Sequence, residues 1–438
     1  MNDVLPLLFF AVVIIFLLSG FPVAFTLGGV SVVFGMLVFG FDFFYLLPLR
    51  IWGTMTNYVL ISVPMFIFMG LMFEKSGIAE ELLETLALIF GKLRGGLAFA
   101  VLFVGAILGA STGIVGATVV TLGVLGLPVM IKRNCDIQAS AGIIAASGTL
   151  GQIIPPSVIL ILLGSVLNLP IGDLFIAATG PGIFLVLLYF VYILSVTLLR
   201  PAVFPAMPAE ALAGFSHEGK LRRIVTSLLL PGMLVIAVLG SIFAGIASPT
   251  EAAAVGAMGA ALLTLYKKKL SFENLKYVST KTVTITSMVF MILIGASAFA
   301  LVFRGLNGDR YLTELIIASE LGPHLFLFLM MLLIFIAGFF IDFIEIVFIL
   351  VPVIAPIAVH YGFDMKYIAI LIALNLQTSF LTPPFGFSLF YLKGVAPEGV
   401  STMQIYKGAV PYVIMQLLCL LAVALFPEIS NWLLKTLK

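Results

Sequence analysis

Apolar stretches of roughly 20 residues, separated by short polar segments, run along nearly the whole chain. A membrane-crossing helix needs about 20 such residues to span a hydrocarbon core of about 30 Å. The pattern predicts crossings at residues 4–20, 22–41, 55–73, 137–167, 174–199, 224–247, 249–266, 281–303, 365–392 and 406–427. We therefore expect an all-α integral membrane protein.

Two further apolar regions, 95–131 and 323–359, are interrupted near their midpoints. The interruptions read Gly109-Ala-Ser-Thr-Gly-Ile-Val-Gly116 and Gly338-Phe-Phe-Ile-Asp-Phe-Ile-Glu345. Each arm has about 15 residues and extends about 22 Å, which is too short to cross. We predict two re-entrant hairpins, each entering and leaving on one side. Two tilted full spans per region are the alternative.

Two predicted spans contain a proline pair where the helix should continue. The segments are Gly148-Thr-Leu-Gly-Gln-Ile-Ile-Pro-Pro-Ser157 and Leu376-Gln-Thr-Ser-Phe-Leu-Thr-Pro-Pro-Phe385. Proline removes an amide donor and clashes with the preceding turn, so each helix must break there. Broken backbone at membrane depth is tolerated where it lines a cavity or is buried in protein, and paired breaks mark transporter binding sites.

The two interrupted regions indicate a duplicated sequence. Pro156 and Pro384 are 228 residues apart, as are Asp136 and Asp364. Each half then contributes five crossings, because a hairpin adds none and a broken helix adds one. An odd number places the second half upside down, which is the inverted repeat of secondary transporters. Chance similarity of proline-rich apolar segments is the alternative.

Positive charge orients this topology. Sixteen of the Lys and Arg residues fall on one predicted side. The other six are Arg50, Arg304, Arg310, Lys366, Lys435 and Lys438. Because positive charge prefers the cytoplasm, both termini are predicted to be periplasmic. The first hairpin then enters from the cytoplasm and the second from outside, so their tips can meet at mid-membrane.

Composition excludes several other classes of protein. Hydrophobic residues make up 62% of the chain and charged residues only 10%, against about 25% charged residues in soluble domains. The sequence contains no P-loop and no His-Glu-x-x-His motif, and no His lies inside a predicted span. We therefore expect no enzyme, and no disulfide between Cys135 and Cys419.

The breaks and hairpin tips concentrate oxygen ligands. A broken helix exposes carbonyl groups that suit Na⁺ and amide groups that suit an anion. The Na⁺ candidates are Ser111, Thr112, Gly113, Ser147, Gly148, Thr149, Asp342, Gln377, Thr378, Ser379 and Thr382. The substrate candidates are Thr149, Gln152, Pro155, Pro156, Ser157, Asn375, Thr382, Pro383 and Pro384. Alternatively, each Ser or Thr hydroxyl has only a structural role, in helix packing or in a hydrogen bond to a carbonyl of its own helix.

Three acids have competing interpretations. Asp342 and Glu345 lie in the second hairpin, where an intramembrane acid suggests a functional site, although both could simply cap a helix. Ser248-Pro-Thr-Glu251 has the form of a capping box. We expect Glu251 to be structural.

The motifs together resemble the large membrane (M) subunit of tripartite ATP-independent periplasmic (TRAP) transporters. The resemblance rests on the first proline-pair segment, Leu381-Thr-Pro-Pro-Phe-Gly386, Ser248-Pro-Thr-Glu-Ala-Ala-Ala-Val-Gly256 and Phe21-Pro-Val-Ala24. Both hairpin tips depart from the commonest family pattern and look like the branch for mannitol, chloroaromatic and 2-oxo acid uptake. Residue-level transfer of Na⁺ ligands is weaker for that reason, although Asp342 matches the acidic tip position.

The resemblance implies a secondary, Na⁺-coupled importer of a small organic acid in the bacterial inner membrane. A periplasmic substrate-binding protein (P-type) delivers the solute, and a small four-span membrane subunit (Q-type) supports the large one. The family works as an elevator, in which hairpins and broken helices move against a scaffold. A proton-coupled carrier of the same fold, or a passive channel or scaffold, is the alternative.

The elevator division assigns four segments to two bodies. Residues 1–94 form scaffold, with three spans and an amphipathic arm at 78–92. Residues 95–200 form the first half of the transport domain. Residues 201–321 return to the scaffold, and residues 322–438 complete the transport domain.

Overall fold

The computed structural model describes residues 4–207, 224–383 and 385–437, and this part of the chain is helical throughout, with no strand. The all-α prediction is confirmed. Pro384, a predicted substrate residue, and most of the polar loop after residue 200 lie outside the described residues.

The described residues of the first half form ten α-helices. They are α1 (Leu5–Leu18), α2 (Val23–Phe39), α3 (Leu47–Met55), α4 (Ser62–Lys75), α5 (Ile78–Phe90), α6 (Gly96–Thr112), α7 (Val115–Lys132), α8 (Ile137–Thr149), α9 (Val158–Leu167) and α10 (Ile171–Leu199). Short 3₁₀ turns precede α3 and α4 and follow α8.

The described part of the second half follows a similar order. Its helices are α11 (Leu230–Phe243), α12 (Pro249–Tyr266), α13 (Phe272–Gly305), α14 (Gly308–Ala318), α15 (Pro323–Ala337), α16 (Phe343–His360), α17 (Met365–Leu381), α18 (Phe387–Val395), α19 (Thr402–Leu425) and α20 (Glu428–Leu437). A π-helical turn leads into α11. One helix, α13, takes the place of α3 and α4, and a further helix, α20, is added at the end.

Seven described helical segments are long and apolar enough to cross a membrane. Two of them, α7 and α16, are arms of the predicted hairpins, and each has 18 residues. Such a helix extends about 27 Å, so the estimate of 15 residues per arm was too short for these two. Arm length therefore cannot distinguish a re-entrant hairpin from two full spans. The contacts at the ends of the helices are more informative.

Both predicted hairpins bring their open ends together. The amide of Gly95, before α6, donates to the carbonyl of Phe204 at 2.9 Å, and the amide of Asp136, after α7, donates to Val203 at 2.9 Å. In the second hairpin, the hydroxyl of Tyr361 donates to the carbonyl of Leu321 at 2.8 Å. Each helix pair therefore turns back at its middle and closes at its ends.

The turn of the first hairpin depends on one glycine. Gly113 ends α6 with a φ of 60°, a left-handed conformation that glycine adopts without steric cost. Its amide donates to the carbonyl of Gly109 at 2.8 Å, which closes the last turn of the helix. The chain then reverses through Ile114 into α7.

Both proline pairs interrupt their helices, as predicted. The first break separates α8 from α9, and the hydroxyl of Ser157 donates to the carbonyl of Gln152 across it at 2.6 Å. The second separates α17 from α18, and the amide of Gly386 donates to the carbonyl of Thr382 at 3.1 Å. Each break thus satisfies one of the carbonyls that the lost helical turn frees.

The packing between the halves is reciprocal. Helix α2 packs along α13 of the other half, and its counterpart α12 packs along α4. Helix α19 packs along α8, and its counterpart α10 packs along α17. Each half therefore completes the other, as expected for a duplicated fold whose repeats are related by approximate two-fold symmetry.

Two smaller expectations also agree with the structure. Ser248 and Glu251 form the predicted capping box at the start of α12, so the structural interpretation of Glu251 is confirmed. Cys135 and Cys419 are both free and buried.

A close approach of α8 and α19 generates a stability prediction. A Cβ atom on Gly142 would collide with the backbone carbonyl of Gly408, which cannot move without shifting α19. We expect Gly142→Ala to destabilise the protein by about 1–3 kcal/mol, measured as a lower thermal unfolding midpoint in detergent. The control is Gly232→Ala in α11, where an added Cβ has open space; equal midpoints for the two variants would contradict the packing.

Candidate functional site

The tip of the first hairpin lies directly against the first break. A Cβ atom on Gly109 would lie 2.7 Å from the amide nitrogen of Gly151, and one on Gly113 would lie 3.1 Å from that of Val158. At these distances the backbone of the hairpin tip lies directly against the backbone of the break. Any residue larger than glycine at position 109 or 113 would prevent this approach. The interrupted helix is therefore covered by protein and not by lipid, as broken backbone at membrane depth requires.

The second hairpin covers the second break in the same way. A Cβ atom on Gly338 would collide with the hydroxyl of Ser379, one turn before α17 ends. The rings of Phe340 at the tip and Phe385 in the break lie 5.3 Å apart, and both side chains are more than half exposed. The second break is thus more open than the first, whose residues Gln152 and Ser157 are fully buried.

One hydrogen-bonded cluster joins the two breaks. The side-chain amide of Gln377 in α17 donates to the hydroxyl of Thr149 in α8 at 3.4 Å. These two residues are 228 positions apart, which is the repeat interval, so they occupy equivalent places in the two halves. The hydroxyl of Thr149 itself donates to the carbonyl of Ala146 at 2.8 Å.

Gln416 completes this cluster and was missed by the sequence analysis. Its amide, in the middle of α19, donates to the hydroxyl of Thr149 at 3.2 Å. A buried glutamine inside the apolar stretch 406–427 is itself a signal, because an unpaired amide is costly in a membrane. Ser388 of α18 was also missed, and its hydroxyl donates to the carbonyl of Ala145 at 3.0 Å.

Several predicted Na⁺ ligands hydrogen-bond within their own helices. The donors, each with one backbone carbonyl as acceptor, are Ser111, Thr378, Ser379 and Thr382. Thr112 instead pairs with the hydroxyl of Thr118 at 2.9 Å. A hydroxyl that donates its proton keeps its lone pairs, so this back-bonding leaves the oxygens able to coordinate a cation.

A second set of polar atoms near the cluster has no hydrogen-bond partner among the described residues. The set consists of the Ser147 hydroxyl, both polar atoms of Gln152, and the side-chain oxygens of Gln377 and Gln416. All four residues are buried. Unpaired buried polar atoms cost about 1–3 kcal/mol each, so a polar or ionic ligand that paired with them would be bound favourably.

The predicted substrate residues divide between a buried and an accessible group. Gln152, Pro155, Pro156 and Ser157 are buried, whereas Thr382 and Pro383 are partly exposed. The side-chain amide of Asn375 donates to the carbonyl of Met331 in α15 at 2.7 Å. Asn375 therefore joins α17 to the second hairpin instead of reaching the Thr149 cluster.

The two acids of the second hairpin cap its second arm. A carboxylate oxygen of Asp342 accepts from the amide of Phe343 at 2.7 Å, and Glu345 accepts from the amide of Asp342 at 2.5 Å. This capping box stabilises the start of α16, so the acids have a structural role whatever else they bind. No cluster of three His, Cys, Asp or Glu side chains suited to a metal occurs within residues 4–207, 224–383 and 385–437.

Comparison with known proteins identifies the class of this molecule. Residues 10–429 match the family model described as the tripartite ATP-independent periplasmic transporter, DctM component. The chain belongs to this family of large TRAP permease subunits. It is a multi-pass membrane transport protein and not an enzyme.

Relatives with different named substrates cover nearly the same length. The chain is 30% identical to a C4-dicarboxylate TRAP transporter large permease protein of Pseudomonas aeruginosa, over 92% of this chain and 94% of that one. It is 29% identical to the ectoine TRAP transporter large permease protein of Halomonas elongata, over 95% and 96%. For the sialic acid TRAP transporter large permease protein of Vibrio cholerae, the identity is 28%, over 94% and 95%.

Two solved transporters share the fold. The YdaH transporter of Alcanivorax borkumensis superposes with a TM-score of 0.62 at 14% identity, covering 98% of each chain. MtrF of Neisseria gonorrhoeae superposes with a TM-score of 0.59 at 13% identity, covering 91% of this chain and 85% of that one. At these identities the likeness concerns the fold alone.

The Thr149 cluster generates a second prediction. Thr149→Val removes the shared acceptor and leaves the amides of Gln377 and Gln416 unpaired, so we expect a destabilisation of roughly 1–3 kcal/mol. Thr149→Ser should restore most of the loss. Thermal unfolding of the purified variants measures both effects.

The matched control for this prediction is Thr26→Val in α2. Thr26 is equally buried, but its hydroxyl has no partner within the described chain. Its replacement by the isosteric valine should leave stability unchanged or slightly raised. If Thr149→Val behaved like Thr26→Val, the cluster would contribute nothing to the fold.

Proposed function

We propose that this subunit imports a small organic acid with Na⁺ as the coupling ion. The observation that carries the proposal is the convergence of two broken helices on the Thr149–Gln377 contact, surrounded by unpaired oxygens. Secondary transporters coordinate Na⁺ with the unwound backbone carbonyls of broken helices, and hydroxyl and amide oxygens could complete such a site here.

The substrate class follows from the relatives and from the helix ends. The relatives are named for C4-dicarboxylates, ectoine and sialic acid, and each of these molecules contains a carboxylate. Helices α9 and α18 begin at Val158 and Phe387, immediately after the breaks. Free amides at a helix N-terminus attract anions, which supports a carboxylate lying between the two helix starts.

The capping box is compatible with Na⁺ as the coupling ion. Asp342 and Glu345 both accept backbone hydrogen bonds in the present structure, and an ionised Asp342 carboxylate at the start of α16 would also attract a cation. The alternative is that Asp342 carries the transported proton, because a neutral side chain can cap a helix as well.

Contacts across the halves within each predicted domain support an elevator mechanism, and α6 is a transport helix that also packs on the scaffold helices α4 and α5. The predicted transport segments bind one another across the halves, through α19 with α8 and α10 with α17. The predicted scaffold segments do the same, through α2 with α13 and α4 with α12. In the proposed cycle, residues 95–200 and 322–438 move together against residues 1–94 and 201–321.

Contacts between charged residues support the proposed orientation. Lys267 pairs with Glu81 on the amphipathic helix α5, and the Lys75 amine lies 4.1 Å from the ring centre of Tyr277. These residues belong to the side assigned to the cytoplasm. Lys366, assigned to the periplasmic side, pairs with Asp173 at 3.5 Å. The proposal places both termini in the periplasm and the chain in the bacterial inner membrane.

Family membership supports two partners for this subunit. A P-type substrate-binding protein would deliver the acid from the periplasm, and a Q-type subunit with four spans would pack against the scaffold. The scaffold helix α2 exposes large apolar side chains such as Phe25, Val33 and Leu37, a surface suited to lipid or to another membrane helix.

Uptake by the reconstituted transporter tests the coupling. With both partners present, solute uptake should require an inward Na⁺ gradient and fall to the level of protein-free liposomes when choline replaces Na⁺. Undiminished uptake without Na⁺ would refute sodium coupling. Uptake that needed no binding protein and did not saturate would instead indicate a channel.

The variant Asp342→Asn separates sodium from proton coupling. Asparagine caps a helix as well as aspartate does, so the protein should fold, while loss of the charge should raise the Na⁺ concentration for half-maximal uptake roughly tenfold. The pH profile should keep its shape. The control is Asp364→Asn, at the N-cap of α17, which should leave both quantities unchanged; loss of pH dependence in Asp342→Asn alone would favour the proton carrier.

A further inference from the structure

A polar cavity of about 350 Å³ lies away from the breaks, near the C-terminal end of α13. Its scaffold wall comes from α3 and α13, and its other wall comes from α9 and α16 of the predicted transport domain. The polar lining residues that matter here are Arg50, Thr54, Asn57, Ser165, Asn168 and Arg304. This volume falls within the range of small-molecule sites.

Two guanidinium groups dominate this cavity without an acidic partner. Arg50 and Arg304 form no ion pair with any described residue, and none of the lining residues is Asp or Glu. Both arginines line the same cavity, so their positive charges repel each other. In agreement with this placement, burial lowers the pKa of the half-buried Arg50, and the charge of Arg304 lowers it further. By contrast, nearby Arg310 pairs with Glu314 at 2.8 Å.

The uncharged groups of the cavity are largely engaged with one another. The hydroxyls of Thr54 and Ser297 lie 3.3 Å apart, and the side-chain amide of Asn57 donates to Ser165 at 3.1 Å. The arginines are therefore the main donors left for a ligand. Two adjacent positive charges repel each other, and an anion between them would remove this cost.

We propose that Arg50 and Arg304 form a binding site for the carboxylate of a small organic anion, at the boundary between scaffold and transport domain. A guanidinium binds a carboxylate through two parallel hydrogen bonds. In the orientation proposed above, both arginines lie on the periplasmic side. The anion would bind there before it reaches the breaks. Because the two walls belong to different predicted domains, movement of the transport domain would then change the shape of the site. This order of events rests on the proposed function.

Direct binding to the purified full chain tests the site. Succinate serves as the dicarboxylate probe in a low-salt choline buffer without Na⁺, with titration followed by calorimetry. We expect saturable binding that weakens when the ionic strength is raised to about 0.15 M. The uncharged dimethyl ester of succinate should not bind. These measurements need no variant, so they hold even if a substitution prevents folding.

Substitutions then locate the bound anion. Arg50→Gln and Arg304→Gln should each weaken succinate binding roughly tenfold or more. Arg50→Lys should lose less affinity for succinate, because lysine keeps the positive charge. Some affinity should still be lost, because lysine lacks the planar guanidinium that forms two parallel hydrogen bonds. Arg310→Gln is the matched control, since it removes the same charge from the same predicted side, and it should bind like the wild type.

Four results would overturn the proposal. The first is the absence of saturable succinate binding, and the second is equal binding of the ester. The third is undiminished succinate binding by the Arg50→Gln/Arg304→Gln double variant. The fourth is that the purified wild type binds no succinate while the double variant loses partner-dependent uptake. The last result would show that the arginines dock the delivering protein instead of a small anion. Because the titration contains no Na⁺, a failure of sodium coupling would leave its outcome unaffected.

Discussion

The dominant constraint on this fold is that two helices lose their internal hydrogen bonds at membrane depth. Pro155 and Pro156 supply no amide donors, so the carbonyls of the preceding turn lose their helical partners. An unsatisfied backbone group costs several kcal/mol where water is absent. Within the described chain, one carbonyl at each break accepts a local hydrogen bond, from Ser157 at the first break and from Gly386 at the second. The hairpin tips then pack against both breaks, and Gln152 and Ser157 in the first break are fully buried.

Glycine makes that cover possible. Gly109 approaches Gly151 so closely that a methyl group on either would collide with the other's backbone. This contact leaves little space beside the first break, whose residues are buried, whereas Phe340 and Phe385 keep the second break partly open. The two halves are thus equivalent in topology but not in accessibility.

Local signals in the sequence predicted most of the architecture. Proline pairs predicted both breaks, the Gly109–Gly116 interruption predicted a hairpin turn, and Ser248 with Glu251 formed the expected capping box. These features depend on residues within one or two turns. Gln416 and Ser388 were missed because their partners in α8 are more than 200 positions away, and a helical period does not report which helix lies opposite. The lengths of α7 and α16 were underestimated because these helices begin inside the segments 109–116 and 338–345 that had been assigned to the interruptions.

The repeat interval links these local and distant features. Thr149 and Gln377 are equivalent positions, yet they contact each other. Two equivalent residues can touch only near the axis that relates the repeats, so this hydrogen bond marks the centre of the pseudo-symmetric arrangement of the two halves. A ligand bound there contacts both halves at once. A single ion or carboxylate at this centre would therefore tie the two broken helices together, and they would move as one body for as long as it stayed bound.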